Sequence, residues 1–418
     1  MYENIINEMN AASCEKRLEA AENAKKLLDD GKILLPDPVS DVNNHIHTIY
    51  SFSPYSPTMA VWKSKEAGLL TCGIMDHDSI SGAREFIRAG EILDVNVTAG
   101  IECRADMTGT ALEGKRFNNP DQENVAYMAL HAVPHSSFDE ITAFFRPRIE
   151  KRNERNRKMV ARLAELIDID MDFDRDVLPL SAYAAGGSVT ERHILFAAAN
   201  MIIRREGKRR VPQYLTKLGI NVSDKIRGYL EDQNNPYFEY DLLGVLKSDL
   251  VAKFFIPATD ELPGVREVAA LAKRTGAIFA YAYLGDVGES VTGDKKAQKF
   301  EDGFLDELFV MLKDEGFDAV TYMPSRNTDA QIDRLKALCA KYSLMEISGE
   351  DINTPRQKFV CLKQREPKFA NLKSSAFALI GSENAEKFGE KPMFDESVSF
   401  GGLDEKIDYY AGLAKRKK

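Results

Sequence analysis

Six histidines occur in the chain, His45, His47, His77, His131, His135 and His193, and all lie in its first half. In His45-Ile46-His47 two imidazoles stand two residues apart in a run with strand character, so they point to one face and can grip a single cation. His77 follows an apolar run in Met75-Asp76-His77-Asp78, and Glu102 closes Val97-Thr98-Ala99-Gly100-Ile101-Glu102. His131 ends Tyr127-Met128-Ala129-Leu130-His131, and Asp351 follows Met345-Glu346-Ile347-Ser348-Gly349-Glu350. Imidazole and carboxylate donors brought together from strand ends would make a mixed nitrogen and oxygen site, which suits Zn, Mn or Fe better than Ca or Mg. An isolated HxH pair is more often structural than metal-binding, so the weight falls on the combination.

Strand and helix signals alternate from Asp41 onward: strands at 42–48, 69–75, 95–101 and 126–133, and helices at 58–67 and 81–93. Alternation of this kind predicts parallel βα units, whose C-terminal strand ends converge on one mouth. The rhythm breaks near Phe138, turns helical to about Lys253, and resumes with a helix at 264–274 and a strand at 277–283. The expected organisation is an N-terminal helical extension over 1–40, a discontinuous α/β barrel over 41–137 and 256–365, an all-helical insert or cap over 138–255, and a C-terminal extension over 366–418.

Composition narrows the function classes. The chain has 418 residues, 44% of them hydrophobic and 29% charged, which is ordinary globular composition. Lys+Arg 56 against Asp+Glu 65 gives a net charge of −9, so no nucleic acid polymer is expected as a partner. No apolar run is long enough for a membrane span and the start lacks the pattern of a signal peptide, which predicts a cytoplasmic protein. The five cysteines lack CxxC spacing and read as buried thiols. Arg146, Arg148, Lys151, Arg152, Arg155, Arg157 and Lys158 form a basic helix, which reads as a solvated face with Glu150 and Glu154 as partners or, less simply, as a lure for anionic substrates.

Taken in order, HxH, DHD before a helix start, GIE, a strand histidine and a late SGxD resemble the PHP (polymerase and histidinol phosphatase) superfamily over roughly residues 41–365. That resemblance implies a distorted (β/α)7 barrel and metal-dependent hydrolysis of a phosphoester in a small phosphorylated metabolite such as a nucleotide. It implies a divalent Mn, Fe or Zn ion as cofactor. The insert is similar to that of the nucleotide and nucleoside bisphosphate phosphoesterase branch. There Val189-Thr190-Glu191-Arg192-His193-Ile194 matches a motif whose Arg and His contact the substrate phosphate, although the family's Arg falls on Glu191. Arg192 and His193 are the implied phosphate contacts, and Arg192 reads equally as a helix-start cation.

Three ligand positions depart from the family pattern: Phe52, Tyr283 and Asn353 stand where an Asp, a His and a His would be. The resemblance assigns His45, His47, Glu102 and Asp351 to one metal subsite, all present; Phe52, His77 and Asn353 to a second; and Glu102, His131 and Tyr283 to a third. One well-held metal is therefore expected, with a weaker one near Glu102 and His131. His77 and His131, released from metal duty, become candidates for general acid or phosphate donor. The alternative is a catalytically impaired PHP scaffold that binds metal or anion and acts through ligand or protein binding.

Overall fold

The computed structural model describes residues 2–287 and 298–415. Seven strands follow chain order in one curved sheet: β1 (Val42–Ile46), β2 (Thr71–His77), β3 (Asn96–Asp106), β4 (Val125–His131), β5 (Ile278–Ala282), β6 (Ala319–Tyr322) and β7 (Met345–Ser348). Alternate residues feed two different cores, as a period of two requires. Outward-facing Met128, Leu130, Phe279 and Tyr281 pack with the surrounding helices, whereas Ala129, Ile278, Ala280 and Ala319 belong to a separate inner cluster. The small inner residues let a narrow barrel fill without voids.

The two edges meet just beyond β7. Ile46 bridges Ile352, with the His47 N–H donating to the Ile352 carbonyl at 2.9 Å and the Ile352 N–H to the His45 carbonyl at 3.1 Å. The amides of Asn43 and Asn44 add bonds to the carbonyls of Glu350 and Ser348 at 3.0 and 2.9 Å. The result is a distorted, nearly closed seven-stranded barrel with helical additions. Among the described residues no helix is long and apolar enough to cross a membrane.

One strand runs against expectation. β4 pairs antiparallel with both β3 and β5, while the other neighbours are parallel. No helix lies between β3 and β4, so the chain has no crossover and must return as a hairpin. The expectation of uniformly parallel units is corrected there. His131 pairs with Ile278, the first residue of β5, and so lies deeper than Glu102, on the side of the opposite end of the barrel but within reach of the charges of His45 and Glu102.

That opposite end is closed by the C-terminal helices Ala370–Glu383 and Leu403–Leu413, whose Ala378, Leu379, Tyr410 and Leu413 join the inner cluster. The Glu383 carboxylate accepts from Thr98 Oγ1 at 2.7 Å, from the Ala99 N–H at 2.6 Å and from His135 Nε2 at 2.8 Å, fixing this floor to the start of β3. At the other end, helices Phe138–Ile167, Glu191–Glu206 and Phe238–Phe254 share a second hydrophobic core that includes Met159, Leu163, Leu195 and Leu246. Phe52, from the loop after β1, is inserted into that core.

Candidate metal centre

The register of β1 on β2 slips between Asn43, opposite Cys72, and Ile46, opposite Ile74, and the Asn43 side chain accepts from the His45 N–H at 3.0 Å across the irregularity. This local bend brings His45 Nε2 and His47 Nε2 to 3.2 Å of each other. Gly349 permits it, because a Cβ there would run into the His45 side chain. Glu102, at the mouth end of β3, places Oε2 at 3.6 and 3.7 Å from the two nitrogens. Donors bound at about 2.0–2.1 Å around a tetrahedral ion stand roughly 3.3–3.4 Å apart, so these three atoms already mark three corners of such a site. All three side chains are buried.

A relay fixes the tautomer of His47. Its Nδ1 lies 3.2 Å from Ser51 Oγ, and the Ser51 hydroxyl donates to Asp76 Oδ1 at 2.6 Å. Asp76 also accepts from the Thr48 N–H at 2.7 Å and Thr48 Oγ1 at 2.6 Å, so its oxygens act as acceptors and commit the Ser51 proton. Ser51 must then accept from His47 Nδ1–H, which leaves the Nε2 lone pair facing His45 and Glu102.

Two further residues flank the set. His77 Nδ1 is 3.0 Å from Glu102 Oε2, and Asp351 Oδ1 is 3.2 Å from His47 Nε2. Burial pushes the Glu102 carboxyl up, but the charges of His45 and His77 outweigh it and hold the group well below the usual carboxylate range. Asp351 is likewise held low, burial being outweighed by His47. Burial lowers His47, whereas for His45 the Glu102 carboxylate overcomes burial and raises the imidazole. Two ionised carboxylates around paired imidazoles thus call for positive charge between them.

The other positions expected in the site have different surroundings. His131 is buried with neither ring nitrogen hydrogen-bonded, and burial pushes its pKa down to about 3. Phe52 packs against His193, Phe196 and Tyr240 with ring centroids at 5.1, 5.6 and 6.1 Å. The Tyr283 hydroxyl donates to Asp302 at 2.6 Å. Asn353 donates to Asp351 Oδ1 at 2.6 Å, which orients that carboxylate. His193 accepts from the Thr190 N–H at 3.0 Å through Nδ1 as part of a capping box, so its Nε2 carries the proton. Arg192 lies close enough to Asp351 for its charge to help hold that carboxyl low.

Sequence reading missed a buried charge network beside this cluster. Arg104, two residues beyond Glu102 on the same face of β3, and Arg152 and Arg155 from the long helix Phe138–Ile167 converge on Glu261, Asp78 and Glu191. The solvated reading of the basic helix is therefore corrected for Arg152 and Arg155, which are 6% and 7% exposed. The signal was present in the spacing, since Arg104 follows Glu102 at a period of two.

No family model and no curated protein matches the chain. Solved structures do. A protein from Bifidobacterium adolescentis, assigned as a metal-dependent phosphoesterase, is 20% identical with a TM-score of 0.50, over 78% of this chain and 94% of its own. The chain shares its fold with that phosphoesterase. An amidohydrolase from Chromobacterium violaceum, solved with sulfate and without metal, is 13% identical with a TM-score of 0.51, over 77% of this chain and 90% of its own.

Proposed function

We propose that the chain is a PHP-superfamily phosphoesterase, cytoplasmic and metal-dependent, acting on a small phosphorylated metabolite such as a nucleotide. The observation that carries this reading is the tetrahedral spacing of His45 Nε2, His47 Nε2 and Glu102 Oε2, with Asp351 beside His47. These four residues would hold one Mn, Fe or Zn ion. Such an ion supplies Lewis-acid polarisation of a phosphoryl oxygen and acidifies water.

The protein groups do the rest. The 138–255 insert serves as a cap, tied to the mouth by the Ser188 hydroxyl on the His77 carbonyl at 2.6 Å and by Arg356 on Asp241 at 2.6 Å. His77, with Nδ1 against Glu102 and its side chain 24% exposed, is placed to give a proton to the leaving group through Nε2. His131 is buried deeper, with neither ring nitrogen hydrogen-bonded and within reach of the charges of His45 and Glu102. Arg192 and the His193 Nε2–H are the proposed phosphate contacts at the start of the helix Glu191–Glu206.

One set of observations favours a second reading, that of an impaired binding scaffold. Phe52, Tyr283 and Asn353 are each absorbed into packing or hydrogen bonds that ligands would not make. The two readings part in a phosphate-release assay on nucleoside phosphates, using protein exchanged with Mn, Fe or Zn. Release with one of these metals that disappears on chelation is expected. No release with any of them would leave the scaffold reading.

A further inference from the structure

We infer that Arg104 and Arg155 form an anion-binding site at the barrel mouth that the Glu191 carboxylate fills, and that an incoming phosphate group takes the place of Glu191. This deepens the proposed function, and rests on it for the view that the anion belongs to a substrate.

Charge counting within the network separates its members. Arg104, Arg152 and Arg155 are all buried, and Glu261, itself 3% exposed, receives Arg104 Nη2 at 2.8 Å, Arg152 Nε at 3.3 Å and Arg155 Nε at 2.7 Å. Asp78 pairs with Arg152. These two carboxylates leave one guanidinium charge uncompensated. The third carboxylate, Glu191, neutralises it through a single oxygen, Oε1, at 3.1 Å from Arg155 Nη2 and 4.0 Å from Arg104 Nη1.

Glu191 differs from the other two acids in accessibility and attachment. Its side chain is 24% exposed, and it begins the helix Glu191–Glu206 on the cap, while its arginine partners are held by Glu261. Arg104 makes one hydrogen bond among the described residues, to Glu261, although a guanidinium has five N–H donors. A buried arginine so sparsely bonded accommodates a further acceptor without displacing a good partner. Phosphate oxygens accept from two guanidiniums at once, which one carboxylate oxygen at 3.1 and 4.0 Å does incompletely. The site adjoins the metal cluster, because Arg104 lies on the Glu102 face of β3 opposite Tyr127, whose ring centroid is 6.0 Å from that of His77. Asp121, Lys247 and Arg116 are further charged groups in the neighbourhood.

The test is a titration of inorganic phosphate into the full chain freed of metal by chelation, followed by calorimetry. Glu191→Gln is expected to bind phosphate about tenfold more tightly than the native protein, with the gain lost in the Arg104→Gln, Glu191→Gln double variant. Glu191→Ala gives the same comparison should Glu191→Gln misfold. Equal affinity of native and Glu191→Gln protein overturns the inference and leaves the network as an anchor of the cap; a gain that survives loss of Arg104 overturns it too. Manganese titration of the same native preparation reports separately on the metal cluster. Phosphate tightening without manganese binding keeps the anion site and refutes the phosphoesterase reading, and manganese binding without tightening does the reverse.

Discussion

His77→Ala is expected to lower phosphate release by about 10²–10⁴-fold while the protein keeps its metal. The compact donor set consists of His45, His47 and Glu102, and His77 flanks it, with Nδ1 3.0 Å from Glu102 Oε2 and its ring centroid 4.6 Å from that of His47. Removing the imidazole therefore takes away a proton donor and leaves the three donors with each other. The effect should shrink for an aryl phosphate whose leaving group departs without protonation, which separates an acid from a residue that merely shapes the mouth. An unchanged rate on a nucleotide, or loss of metal together with activity, would refute this role for His77.

Phe52→Asp should destabilise the protein by about 3–5 kcal/mol without adding a second metal. The family pattern places an Asp at this position, so the substitution looks like a restoration. In this chain, however, Phe52 is 6% exposed and sits among His193, Phe196 and Tyr240, joining the barrel to the second hydrophobic core. A carboxylate would forfeit that packing and bury a charge with no cation at hand. Phe52→Leu, which keeps an apolar side chain, is the control and should lose about 1 kcal/mol. Denaturant midpoints and metal content decide the matter. An Asp variant as stable as the native protein and holding an extra equivalent of metal would show that Phe52 is not a structural residue.

The metal cluster was legible because its information is local. His45 and His47 declare a common face by a spacing of two, and Glu102 ends a recognisable strand. The barrel was legible for the same reason, through alternating strand and helix signals. What escaped was set by partners distant in sequence. The reversed β4 follows from the absence of a helix between residues 106 and 125, a weaker signal than the presence of one. Arg152 and Arg155 looked solvated because acids nearby on their own helix were the visible partners, whereas the partner they share, Glu261, is 109 and 106 residues away. Glu383, which fixes the C-terminal helix to the barrel floor, meets Thr98 across 285 residues, and nothing in its own segment announces that contact. The Ser51–Asp76 relay behind His47 is a similar case, since a lone serine in a loop carries no pattern.

Metal content tests the central claim most directly. Native protein exchanged into Mn, Fe or Zn is compared by elemental analysis with the His45→Ala, Asp351→Ala double variant, after both are confirmed folded. About one equivalent in the native protein and none in the variant is the expected result, with His45, His47, Glu102 and Asp351 as the site. Metal that is absent from both, or equal in both, would contradict a metal centre at the barrel mouth.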